Sequence, residues 1–92
     1  MYRIKSRQKK NAKKLGVQIK PSKSKGKKID VFKKGKKVAS IGAEGYSDYA
    51  TYIEKKGKSF ADDRRSLYKK RHNNNRKVKN SNGYYADRIL WD

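Results

Sequence analysis

Hydrophobic residues alternate with polar ones along residues 28–41, KIDVFKKGKKVASI. Ile29 and Val31 share one side of this alternation, which is typical of a half-buried strand. Gly35 lies in a charged turn, and a second apolar stretch follows it. The segment therefore predicts a β-hairpin.

Two segments after the hairpin have helical spacing. The first covers residues 47–56, with Ser47 as the predicted N-cap and basic residues in the last turn. The second covers residues 60–72, with Ser59 as the N-cap and Asp62 completing a weak capping box. The predicted apolar stripe of the second helix consists of Phe60, Leu67 and Tyr68.

Residues 83–92, GYYADRILWD, turn apolar again at the end of the chain. They predict a short terminal helix that is capped by Ser81 or Asn82. A terminal Trp91 packed against the hairpin would close the core of the domain.

The first 28 residues have a different composition. They hold twelve Lys/Arg, no acid and few large apolar residues, so they bury too little surface to offset the entropy of ordering. Pro21 and the Ser/Lys run after it indicate a linker. The sequence thus predicts an α+β fold: a basic extended N-terminal arm (residues 1–28), then a small domain (residues 29–92) of one β-hairpin and two to three short helices. A helix over residues 3–15 is expected only where a partner neutralises its charge.

The whole chain carries 28 Lys/Arg against eight Asp/Glu, a net charge of +20 over 92 residues. Self-repulsion at this density destabilises a compact state, so a polyanionic partner is expected: DNA, RNA or an acidic protein surface. Lysine outnumbers arginine, which favours nonspecific attraction to phosphates over bidentate reading of bases. The polyanion-binding candidates are Lys9, Lys10, Lys13, Lys14, Lys23, Lys25, Lys27 and Lys28 in the arm, with Lys69, Lys70, Arg71, Arg76 and Lys77 as a second patch.

Other chemistry has little support in the sequence. There is no cysteine, which excludes disulfides and thiolate metal sites, and the single His72 lacks the neighbours that a metal or catalytic site needs. We therefore expect no enzyme activity, no metal, no cofactor and no small-molecule substrate. No apolar run is long enough to span a bilayer or to form a signal peptide, which predicts synthesis in the cytosol.

Residues 42–53, GAEGYSDYATYI, form an aromatic island without a basic residue. Tyr46, Tyr49 and Tyr52 would lie roughly on one face of a helix. They either complete the core with their hydroxyls at its rim or stack on nucleic-acid bases. The core interpretation is favoured because the apolar residues after residue 28 are too few to form a core without these rings.

The run IGAEGYSDYATYI…RRSLYKKRH…NGYYADRILW resembles a small family of uncharacterised basic proteins of nucleocytoplasmic large DNA viruses. The resemblance covers about residues 28–91 and leaves the arm outside. The chain departs from the family where members often have YTIHKD, and its segment before the final Trp is shorter. The matching positions are Gly42, Ala43, Gly45, Tyr46, Ser47, Asp48, Tyr49, Thr51, Arg65, Tyr68, Arg71, His72, Gly83, Leu90 and Trp91.

The resemblance implies a setting, a virus particle or the infected cell, and no activity. On this basis we expect a structural virion protein, a minor capsid or internal component that docks on other capsid proteins. Its lysine-rich arm would bind acidic surfaces or DNA, and it would be found in the virion and, during assembly, in the host cytoplasm. The alternative is a nonspecific nucleic-acid-binding protein that condenses viral DNA or associates with the ribosome, with DNA or RNA held by phosphate contacts.

Overall fold

A computed structural model describes residues 2–92 of the chain. It contains a three-stranded antiparallel sheet and four α-helices, which confirms the predicted α+β class. A 3₁₀ turn (Asn75–Lys77) precedes the last helix, and a π-helical turn (Ala86–Leu90) follows it. The main elements, in chain order, are α1 (Ser6–Leu15), β1 (Gln18–Pro21), β2 (Lys27–Lys33), β3 (Lys36–Ala43), α2 (Tyr49–Lys56), α3 (Lys58–Arg71) and α4 (Asn82–Tyr85).

The sheet has the strand order β1-β2-β3, and its second and third strands form the predicted hairpin. Ile29 of β2 lies opposite Ile41 of β3, and both side chains are fully buried. The turn consists of Lys34 and Gly35, which both have positive φ. This is the backbone conformation that two-residue hairpin turns require, so the glycine in the charged turn was the correct signal.

The extended arm predicted for residues 1–28 is wrong. Residues 6–15 form α1, and its Gln8 and Ala12 are buried in the same core as the hairpin. The side-chain amide of Asn11 donates to the main-chain oxygen atoms of Ile89 and Asp92, at 3.3 and 3.2 Å. Because the lysines of α1 lie on its solvated side, their repulsion is screened while the opposite side packs. The basic segment therefore folds with the rest of the chain.

The predicted linker also belongs to the sheet. β1 pairs along β2, with Ile19 opposite Val31 and Pro21 opposite Ile29. Proline has no backbone N–H to donate to a neighbouring strand. It is tolerated at position 21 because β1 is an edge strand and Pro21 is its last residue.

The two central helices begin at other residues than predicted. Asp48, not Ser47, caps α2, and its carboxylate accepts a hydrogen bond from the backbone amide of Thr51 at 3.0 Å. α3 begins at Lys58 without a side-chain cap, so the N-cap at Ser59 and the capping box with Asp62 are wrong. The Asp62 carboxylate instead accepts from the Tyr49 hydroxyl at 2.5 Å.

The side chains that α3 buries also differ from the apolar stripe predicted for this helix. Phe60 and Leu67 are 38% and 51% exposed, whereas Ala61 of the same helix is completely buried. Trp91 stacks on Tyr68 of α3, while its neighbour Leu90 approaches β3 near Gly42. The cap predicted for the terminal helix is confirmed at Ser81, whose hydroxyl accepts from the Tyr84 amide.

None of the helices in residues 2–92 combines the length and the apolar character that crossing a lipid bilayer would require.

Candidate functional site

A cleft opens between α3, the end of the hairpin and the C-terminal segment. Its volume is about 520 Å³, within the range of small-molecule and nucleotide pockets. We call it the aromatic cleft. Its aromatic and apolar wall consists of Tyr46, Tyr52, Leu67, Tyr68, His72, Leu90 and Trp91, and its basic rim of Lys27, Arg64 and Arg71.

A column of three rings forms one wall of the aromatic cleft. The Trp91 ring lies 4.4 Å from that of Tyr68, with the planes 9° apart. His72 lies 4.5 Å from Tyr68 with its plane tilted by 32°. Burial, with a smaller contribution from the negative charge of Asp87, raises the pKa of Tyr68 to about 12. The Tyr68 hydroxyl therefore stays protonated, and the side chain uncharged, throughout the physiological pH range.

The cationic side chain of Arg64 lies beside Tyr52 of the cleft wall and beside the neighbouring Phe60. The guanidinium carbon of Arg64 lies 5.8 Å from the Tyr52 ring centre and 5.5 Å from that of Phe60. These distances allow a cation–π attraction, which holds an exposed arginine at a defined place on the rim. Arg71 lies seven residues further along α3, two helical turns away and hence on the same side.

A buried ion pair supports the cleft from beneath. The Lys28 ammonium lies 3.2 Å from Oδ2 of Asp48 and also donates to the main-chain oxygen of Tyr46. The Tyr2 hydroxyl donates to the same carboxylate at 2.5 Å, and the Gln8 amide donates to that hydroxyl at 2.7 Å. The network thus ties α1 and the N-terminal residues to the loop that carries Tyr46.

The charge state of Asp48 follows from these contacts. Burial by itself would raise the pKa of Asp48, but the hydrogen bonds from Tyr2 and Thr51 and the charge of Lys28 outweigh it. The pKa of Asp48 is therefore lowered, and its carboxylate stays ionised and paired.

The three tyrosines of the aromatic island have separate environments. Tyr49 is fully buried, Tyr52 is partly buried, and Tyr46 is 75% exposed. The single helical face predicted for them is wrong, because α2 begins at Tyr49 and leaves Tyr46 in the preceding loop. The core interpretation holds for Tyr49, whereas the Tyr46 ring remains accessible at the cleft.

Most of the predicted polyanion-binding side chains face solvent, but three are engaged within the fold. Lys28 is buried, and Lys69 pairs with Asp87 and Asp92 at 3.1 and 2.8 Å. Arg76 is half-buried and donates to the Lys69 main-chain oxygen at 3.3 Å. The charges of these three side chains are therefore engaged within the fold, and polyanion binding by the candidates stays a prediction. The exposed ones are Lys9, Lys10, Lys13, Lys14, Lys23, Lys25, Lys27, Lys70, Arg71 and Lys77.

Neither Arg64 nor the cleft was predicted from the sequence as part of a functional site. One signal was present: Arg64, Tyr68 and Arg71 are spaced by four and three residues, which places them on one side of a helix. This spacing brings cationic and aromatic side chains together at one cleft, which is the candidate site of the fold.

Two further findings bear on the site. No group of three or more His, Cys, Asp or Glu side chains in residues 2–92 is arranged to hold a metal ion. The comparisons found no matching family model, curated protein or solved structure.

Proposed function

We propose that this protein is a non-enzymatic nucleic-acid-binding domain that attracts phosphates without reading sequence. The main observation behind the proposal is that most of the basic side chains form no ion pair with an acid in the folded protein. Within residues 2–92, pairs with acids engage seven of the 28 Lys/Arg. The seven are Lys5, Lys28, Lys37, Lys58, Arg65, Lys69 and Arg76.

The lysine and arginine side chains that form no ion pair within the fold suit a phosphate backbone. Each lysine that neutralises a phosphate releases a condensed counterion, so many weak contacts add up to substantial affinity. Such contacts position a protein on nucleic acid and carry no sequence information. The chain contains 21 lysines and seven arginines, and a lysine ammonium acts as a point charge rather than as a planar fork that matches a base edge.

The folded N-terminal segment supports nucleic acid over a tether that runs along neighbouring proteins. α1 presents Lys9 with Lys13, and Lys10 with Lys14, in pairs one helical turn apart. All four side chains are exposed. A rigid row of cations suits a regularly charged polymer, whereas a tether requires an extended segment.

The test is a salt titration of binding to a labelled duplex DNA, followed by fluorescence anisotropy, with polyglutamate as the competing acidic polymer. If six to ten phosphates are contacted, affinity should fall about 10³- to 10⁵-fold between about 50 and 200 mM salt. Polyglutamate should compete poorly at the same charge concentration. Binding to polyglutamate without binding to DNA would overturn the proposal in favour of an acidic protein partner.

We also propose, from the viral resemblance, that the protein is a component of a virus particle. The observation that favours this setting is the gathering of resembling positions around one cleft. Quantitative mass spectrometry of purified particles, separated into shell and genome-containing core, tests it. Enrichment in the core fits a nucleic-acid-binding role, enrichment in the shell fits a minor capsid role, and absence from both fractions contradicts the setting.

A further inference from the structure

We propose that the aromatic cleft holds an unpaired nucleobase, so that the protein prefers single-stranded to duplex nucleic acid. This inference rests on the proposed nucleic-acid-binding function and adds the class of nucleic acid. It concerns a second site, since the exposed lysines of α1 do not line the cleft.

The size and lining of the cleft fit a nucleotide. A volume of about 520 Å³ falls in the usual range for pockets that enclose a small molecule. Tyr46 places a largely exposed ring at the mouth. An exposed ring of this kind binds any base by stacking, because every base has a π-face. The rings of Trp91, Tyr68 and His72 pack on one another and form a wall, in which Trp91 is buried.

The charges around the cleft favour an anionic strand. The side chains of Lys27, Arg64 and Arg71 are exposed on the rim. Among the described residues that line the cleft, Asp48 is the one acid. Its side chain is buried and paired with Lys28. A phosphate at the rim therefore meets free cations and no free carboxylate.

The spacing along α3 combines the two kinds of contact. Arg64 and Arg71 are seven residues apart, which corresponds to about 10 Å along the helix axis. Tyr68 lies between them, one turn from each. A strand crossing this helix would place phosphates near the two guanidinium groups with a base between them, against the rings.

A duplex cannot make the same contacts without a further cost. Its bases are stacked and paired, so one base must be flipped out of the helix before it enters a cleft. A single strand already offers unstacked bases, and alternating aromatic and cationic groups are the common means of binding it.

The experiment uses the fluorescence of Trp91, the only tryptophan in the chain. The full chain is titrated with an oligothymidylate and with a duplex that carries the same number of phosphates. The variants are Tyr46→Ala and the double variant R64Q/R71Q; K9Q/K13Q is the control with the same loss of charge outside the cleft. Circular dichroism verifies that each variant is folded.

We expect the oligothymidylate to quench Trp91 and to bind at least about tenfold more tightly than the duplex. Tyr46→Ala should weaken single-strand binding about fivefold or more, in line with the removal of one stacking partner, and leave duplex binding unchanged. R64Q/R71Q should reduce the preference for single strands, whereas K9Q/K13Q should weaken both ligands alike.

The possible failures are distinguishable. Absence of binding to either nucleic acid at low salt would overturn the proposed function and this inference together. Equal affinity for the two ligands would overturn this inference alone, as would single-strand binding that Tyr46→Ala leaves unchanged.

Discussion

Lys28 and Asp48 form an ion pair whose side chains are 6% and 1% exposed, with 3.2 Å between Nζ and Oδ2. The pair joins the second strand to the N-cap of α2 and lies under the loop that carries Tyr46. A lysine that composition alone assigns to the binding surface is therefore part of the core. Its neighbour Lys27 is exposed on the rim of the cleft.

Removing the cation should destabilise the fold severely. Lys28→Met leaves the Asp48 carboxylate buried without its partner, which typically costs about 3–5 kcal/mol of unfolding free energy. Lys27→Met is the matched control and should change stability by no more than about 0.5 kcal/mol. Urea denaturation measures both values. Equal stability of the two variants would mean that the pair is not buried as described.

Acid should destabilise the protein through two buried aspartates, Asp30 and Asp48. Burial alone would raise the pKa of Asp30, but hydrogen bonds from Ser22 and Ser40 outweigh burial and lower the pKa. The pKa of Asp48 is lowered in the same way by its own hydrogen bonds and by Lys28. A lowered folded-state pKa means that the unfolded chain binds protons first as the pH falls. The associated stability is complete above the unfolded pKa of about 3.9 and is lost as the pH falls through the folded pKa.

The measurement is the free energy of unfolding in urea at neutral pH and at about pH 3. Wild type should lose stability on acidification, and Asp48→Asn should lose less because one of the two groups no longer titrates. Asp63→Asn, at an exposed position of α3, should retain the dependence of the wild type. The same loss in Asp48→Asn and wild type would contradict the assignment.

Gly42 should tolerate no side chain. A Cβ at this position would lie 2.9 Å from Cδ1 of Leu90 and 3.0 Å from Cδ of Lys28, and φ is +77°. At Gly26 φ is similar, +81°, but a Cβ there would meet no atom within 4 Å. Both alanine variants incur backbone strain of about 1–2 kcal/mol, and Gly42→Ala should lose about 1–3 kcal/mol more by overpacking. Equal losses in thermal or urea unfolding would show that Leu90 does not pack against β3.

The hairpin was predictable because its signals are local. The alternation around Ile29 and Val31 and the glycine in the turn depend only on adjacent residues. The same holds for the cap at Ser81. Helix starts were less predictable, since Ser47 and Asp48 are both good N-caps and only the partners of the carboxylate, Tyr2 and Lys28, decide between them.

The fold of the first 28 residues was not predictable from composition because many of their core contacts are polar. Counting large apolar residues gives no weight to Gln8 or Asn11, whose amides bond to groups 6 and 78 residues away in sequence. The high charge density also suggested repulsion along the whole segment. In the fold that repulsion is confined to one solvated side of α1, where water and salt weaken it.

The aromatic cleft could be predicted only in part. The spacing of Arg64, Tyr68 and Arg71 indicates a shared helical side. The stacking of Trp91 on Tyr68 is a contact between the end of the chain and α3, and no local pattern encodes it. The exposure of Tyr46 depends on where α2 begins, which two neighbouring capping residues leave undecided.

The most direct test of the account replaces the exposed lysines of α1. K9Q/K10Q/K13Q/K14Q should remain folded, because all four side chains point to solvent, and K9R/K10R/K13R/K14R is the control that keeps the charge. The measurement is the slope of log affinity for duplex DNA against log salt, with the fold verified by circular dichroism. We expect the glutamine variant to bind more weakly, with a slope that falls by about 0.9 for each phosphate that is no longer neutralised, and the arginine variant to keep the slope. A folded glutamine variant with the slope and affinity of the wild type would contradict the claim that this helix binds nucleic acid.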